Sequence, residues 1–380
     1  MSSPKIVRLG FFAVCCALVL ASPASAKIKG TVCGDCHTMH NSQGNKVVFK
    51  DPADASNKGP VANCLNTGCV GCHSNPDGKE TIVTKGGQDC PIVFNPNHEP
   101  TTYLAGGNFY WVRKDGGNDR CGHNVLGISD KDSVDPAPGA QPSPCSVAPG
   151  ESCHRSLFEP ILDWQDYFST GCQGCHLRTS HHQDTGMYRY LRGHNALHTE
   201  GDPLNPDAYV TGYGDPKWEH NATEKVHNEY HGLLHSWPGD PGYDPKEALA
   251  DSYVGYFHSI DSFCLGCHGQ FKGTTADSST HIWLRHPTGR KLPAKGEEKY
   301  EPYVGRFGEN KYDPLVPVGR LWKTFTGPSE DVVLGSDVTM CISCHRPHGS
   351  PWPSMLRWKY NKTDEVEATG TCRTCHSKVK

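Results

Sequence analysis

The sequence is poor in the material of an ordinary protein interior. Hydrophobic residues make up 36% and aromatic residues 9% of its 380 positions. Beyond residue 20 there is no long apolar run. A broad sheet or a bundle of long helices, closed by side chains alone, is excluded as the general scheme. Basic runs and basic-aromatic stripes are also missing, which excludes a nucleic-acid surface. Methionine is scarce, with five residues including Met1.

What the chain has in excess is Gly (41), Pro (29), Cys (19) and His (22). Gly and Pro at that level predict mostly coil, with short helices and few short strands. Such a chain stays disordered or packs around something other than its own side chains. The Cys and His content favours packing. The N-terminus reads as a secretory signal: Lys5 and Arg8 are basic, residues 9–20 are apolar apart from Gly10, and Ala24-Ser25-Ala26 is a small-residue cleavage site. Residues 1–26 are therefore read as a signal peptide and 27–380 as the mature chain, with no transmembrane segment after cleavage. Cys15 and Cys16 leave with the signal. Of 37 basic residues, Lys5 and Arg8 also leave; set against 41 acidic residues, the mature net charge is −6. Export to the periplasm or cell surface makes disulfides available to spare cysteines.

Six copies of Cys-x-x-Cys-His organise the chain. They are Cys33/Cys36/His37, Cys69/Cys72/His73, Cys172/Cys175/His176, Cys264/Cys267/His268, Cys341/Cys344/His345 and Cys372/Cys375/His376. Two thiols at this spacing add across the vinyl groups of one haem, and the following His is held beneath the iron. A zinc site would pair such sequences in twos, and a redox dithiol would not require His after every second Cys. Six covalent haem c groups, each a large apolar plate fixed at two points, account for the thin side-chain core. A haem-free chain is expected to be mostly unfolded.

An iron with two protein ligands is closed and transfers electrons, whereas an open one activates small molecules. Sixteen of the 22 His remain after the six motifs, against five Met, so paired-His ligation is expected. His40 and His348 each follow a motif His by three residues. That places them on the wrong side of their own iron and within reach of a neighbouring one. His123 and His286 sit in turn-like surroundings. The pair His181-His182 and the pair His227 and His231 fall between the third and fourth motifs. Candidate sixth ligands are thus His40, His123, His182, His227, His231, His286 and His348.

Five mature cysteines lie outside the motifs: Cys64, Cys90, Cys121, Cys145 and Cys153. Cys145, Cys153 and His154 form either a seventh haem site with a widened gap or a disulfide closing a Pro-rich loop. If they bind haem, Cys90–Cys121 is the preferred disulfide; Cys64 is a competing partner for the second motif. Residues 108–114 (NFYWVRK) predict a short strand or hairpin. Residues 134–150 predict a loop, and residues 155–170 have helical spacing broken by Pro160. No self-contained hydrophobic domain is evident. The reading is one haem-packed unit, 27–380, with a softer seam near 200–220.

Several stretches resemble the extracellular hexahaem c-type cytochromes of the OmcS type. They are Cys36-His37-Thr38-Met39-His40, Gly106-Gly107-Asn108-Phe109-Tyr110-Trp111-Val112, Gly122-His123-Asn124-Val125, Leu284-Arg285-His286-Pro287, Cys341 to His348 with Ser354-Met355, and the closing Cys372-Arg373-Thr374-Cys375-His376. The middle departs: the third motif is followed by Leu177-Arg178-Thr179-Ser180-His181-His182. The resemblance implies a multihaem cytochrome c fold, mostly coil around a chain of bis-His haems. It also implies subunits that polymerise into filaments, with His40 ligating an iron of the neighbouring subunit. The expected function is electron conduction to other redox proteins or extracellular acceptors. The alternative is a multihaem reductase of nitrite, hydroxylamine or a sulfur compound, with one open haem.

Overall fold

The computed structural model describes residues 69–85, 87–116, 118–131, 157, 171–176, 181, 188–191, 210–212, 230–232, 259–264, 267–268, 288–297, 301–321, 329–360 and 371–377, together with the backbone of 42–43 and 46–47. The signal segment, the Pro-rich stretch, the seam near 200–220 except residues 210–212, and all of 155–170 except residue 157 lie outside these. Among the described residues every helix is a single turn or little more, and every sheet has two strands. No helix there is long and apolar enough to cross a membrane.

The longest strands among the described residues are Ile82–Lys85 and Gln88–Pro91, antiparallel with Lys85 opposite Gln88. Two glycines join them, and Gly87 takes φ 78°, which only Gly adopts without strain. This hairpin, not 108–114, is the main β element. Tyr110–Arg113 is one α-turn. The Asn108 carboxamide accepts the Tyr110 N–H at 2.9 Å, and the Val112 and Arg113 N–H groups donate back to Phe109 O. A polar side chain that caps a turn thus outweighs the β-propensity of the aromatic run. Trp111 and Val112 are buried by the turn, while Arg113 faces outward.

Among the described residues there are three apolar clusters. The first joins Val70, Phe94, Phe109, Val112, Val125 and Ile128. The second brings Tyr188, Leu191, Val210, Tyr230, Ile260, Met340 and Ile342 together. The third, Leu292, Tyr303, Tyr312, Val318 and Val332, forms a small conventional core that composition alone does not reveal. It is framed by a buried ion pair, Arg320–Asp337 at 2.9 Å, and by a half-buried Arg306 that meets buried Asp313 at 2.5 Å. The Tyr303 hydroxyl donates to Val316 O at 2.8 Å.

Residues 346–355 lace the C-terminal part into 105–123. Asn108 N–H donates to Gly349 O, His348 N–H to Gly106 O and Ser350 N–H to Cys121 O. Gly107 (φ 86°) and Gly349 (φ 129°) meet so closely that a Cβ on Gly107 would fall 2.0 Å from Gly349 O. Cys90 and Cys121 are not joined. The Cys90 thiol lies 3.3 Å from Cys72 O and 3.7 Å from His73 Nδ1, while Cys121 is buried against Ser350. Each is held by a different element, so the Cys90–Cys121 disulfide is not formed.

Candidate haem centres

Five motifs fall within the described residues, and all five fold alike. The His N–H donates to the carbonyl of the first Cys, His73 to Cys69, His176 to Cys172, His268 to Cys264, His345 to Cys341 and His376 to Cys372, over 2.9–3.1 Å. One helical turn puts residues three apart on a common face. Both thiols therefore point the same way, with the imidazole one position further on. The second thiols Cys175, Cys344 and Cys375 are pushed up to about 12, foremost by burial. That is the opposite of the lowered thiol of a redox dithiol. Cys69 differs: the Cys172 thiol hydrogen-bonds it and draws it down to about 6, while Cys172 rises.

The imidazoles are oriented through their inner nitrogens. His73 Nδ1–H donates to Pro91 O at 2.8 Å, His176 to Arg189 O at 2.8 Å and His345 to Ser354 O at 2.7 Å. A carbonyl only accepts, so Nδ1 carries the proton and Nε2 keeps its lone pair. His123 is held the same way, by Pro347 O at 3.0 Å. Burial lowers His123 to about 4 and His348 to about 3, so both stay neutral and able to ligate.

Three motif imidazoles face an imidazole from elsewhere in the chain. The ring centroids of His73 and His181 are 6.0 Å apart, those of His176 and His348 6.0 Å, and those of His268 and His123 6.1 Å. Two metal–nitrogen bonds of about 2 Å each, plus the half-widths of two rings, span about 6 Å. Each pair therefore fits one iron between its rings. Among the described residues no three His, Cys, Asp or Glu side chains converge to hold a bare metal ion. A haem tethered at the motif thiols would need two donors from the protein, and two are what each pair offers. Gly106 makes room for one of them: a Cβ there would lie 2.8 Å from His348 Nδ1. Phe109 packs on the same ring, with centroids 4.9 Å apart.

The motifs approach one another in chain order. Cys69 of the second shares a thiol hydrogen bond with Cys172 of the third. Cys175 feels Cys264 and Cys267 of the fourth, Cys264 touches Cys341 of the fifth, and Cys344 feels Cys372 of the sixth.

Of the other residues singled out in the sequence, His231 sits in a two-residue strand and shares a hydrogen bond with the Thr211 hydroxyl. Cys33, Cys36, His37, His40, Cys145, Cys153, His154, His182, His227 and His286 lie outside the described residues. The imidazole opposite His73 is His181, which the sequence reading grouped with His182 without choosing it. The Nδ1–carbonyl bonds that orient these rings are made by backbone distant in sequence, and no local pattern announces them.

A family model described as the doubled CXXCH motif matches residues 335–380, which hold the fifth and sixth motifs. The C-type cytochrome OmcS of Geobacter sulfurreducens is 23% identical over an alignment of 430 residues, 96% of this chain and 88% of that protein. Two solved structures are similar. The outer membrane cytochrome S filament of Geobacter sulfurreducens is 18% identical, with 89% of this chain and 85% of that one covered and a TM-score of 0.47. The OmcS nanowires of the same organism are 20% identical, with 86% and 84% covered and a TM-score of 0.44. With its repeated attachment turns, its facing imidazoles and a match along nearly its whole length, this chain is a multihaem c-type cytochrome related to OmcS.

Proposed function

We propose that the chain is an electron conduit of six bis-His haems, or seven if Cys145, Cys153 and His154 hold one more. The observation that carries this reading is the set of three imidazole pairs at 6.0–6.1 Å, each joining a motif His to a non-motif His. Haem c, when bound, supplies a one-electron couple at each iron, tuned by ligands, charge and burial. The chain's part is to attach, close and space the irons. The motif cysteines tether. His73 with His181, His176 with His348 and His268 with His123 would hold an iron between them, and an iron held by two protein ligands transfers electrons and does not bind a substrate. Carbonyls at Pro91, Arg189 and Pro347 fix ring orientation, so little moves when the charge changes. The chain-ordered approach of the motifs supports an unbranched series from the second to the sixth.

His37, His345 and His376 are the remaining proximal ligands of this reading, with sixth ligands drawn from His40, His182, His227, His231 and His286. The likeness to OmcS along 96% of the chain, with the resemblance carried by residues 36–40, supports assembly of copies into a filament. His40 is then the ligand each subunit lends to its neighbour. The experiment is carbon monoxide titration of the reduced, haem-loaded protein, with electron paramagnetic resonance of the oxidised form. Low-spin signals throughout and negligible binding are expected. A full equivalent of bound gas per chain would instead mark an open, catalytic iron. For assembly, His40→Ala should abolish filaments in electron micrographs and leave a folded monomer. Filaments formed by that variant would refute the lent ligand.

A further inference from the structure

The fifth attachment turn, Cys341–Cys344, is flanked by two buried charges of opposite sign that do not pair with each other. Asp261 is 0% exposed. One carboxylate oxygen accepts the Cys341 N–H at 2.7 Å, and the other is buried with no partner. Asp261 lies in the Ile260–Cys264 helix, which ends on the first thiol of the fourth motif, so it sits where the fourth and fifth attachment turns touch. Burial pushes its carboxyl up to about 6, which leaves it ionised at pH 8.

Arg357 is 6% exposed. Its guanidinium donates to Ile342 O at 2.5 Å, Ala105 O at 2.8 Å and Pro314 O at 3.3 Å, and its own N–H to Cys344 O at 2.8 Å. Three carbonyls from three segments hold it, and among the described residues no carboxylate neutralises it. Burying an uncompensated cation is costly and must be offset by such bonds. Asp261 and Arg357 act on Cys344 in opposite senses. Elsewhere the buried guanidinium Arg320 meets its carboxylate, Asp337, directly at 2.9 Å.

Resting on the conduit reading, we propose that Asp261 and Arg357 set the reduction potential of the haem held by Cys341, Cys344 and His345, the carboxylate lowering it and the guanidinium raising it. A nearby cation favours the less positive ferrous iron, and an anion favours the ferric. The inward placement removes both charges from the screening of water and salt.

The test is a spectroelectrochemical titration at pH 8 of the haem-loaded protein, with each low-spin haem followed by paramagnetic resonance and the haem count checked. Asp261→Asn should raise the potential of one haem and Arg357→Met should lower the potential of that same haem. Arg357→Lys, which keeps the charge, should restore most of the loss. A structural disturbance would move several haems, or move both variants in one direction, and either pattern overturns the proposal. A full haem complement with unmoved potentials overturns it as well while leaving the conduit intact. Absence of attached haem in the unmutated protein would instead remove the reading beneath it.

Discussion

Residues 301–340 and the segments around 69–131 and 341–360 solve the same problem by different means. The first region closes on its own side chains: Tyr303, Tyr312, Val318 and Val332 are packed together, and Arg320 and Arg306 meet Asp337 and Asp313. In the second, a thin apolar cluster borders imidazoles that face each other across 6 Å, and the backbone is threaded by hydrogen bonds between remote segments. An interior this poor in apolar side chains is one that a tethered cofactor would complete. The two kinds of interior also meet, since Cys375 of the sixth motif packs against the first region's cluster.

The largest expected effect breaks the second region alone. Replacing Cys172 and Cys175 by Ala removes attachment at the third motif. Amide exchange should accelerate at least about a hundredfold at His348 and Gly349, while Val332 and Asn310 stay protected. Equal loss in both regions would erase the distinction. His348→Ala should be next: His176 loses the imbidazole opposite it, and about one equivalent of carbon monoxide per chain should bind the reduced protein. In the first region, Tyr303→Phe strips the bonds to Val316 O and from Asp313 N–H, at a cost of about 1–3 kcal/mol in a denaturant titration. Its visible spectrum should not move. Smallest of all, Lys311→Ala removes an ion pair exposed on both sides, and the unfolding midpoint should stay within error.

Attachment was legible from sequence because it is local. Five residues carry both thiols and the proximal imidazole, and the single turn that each described motif forms follows from that spacing. The coil-rich architecture was legible for a related reason, since Gly and Pro report on backbone freedom residue by residue. The partners of the proximal imidazoles were not. His123 faces His268, and His348 faces His176, through contacts made by remote backbone. His181 faces His73, and nothing in the sequence singles it out. Residues 108–114 misled because aromatic β-propensity is weaker than one well-placed Asn108 cap. Asp261 and Arg357 carry no signal at all, because burial rather than spacing makes them matter.

The account rests on covalently held haem filling the interior between paired imidazoles. The direct measurement is the alkaline pyridine haemochrome of the purified chain, quantified against protein. Six haems per chain, or seven if the Cys145–Cys153–His154 segment binds one, is the predicted result. Two or fewer, in a protein that nonetheless holds its fold, would contradict it.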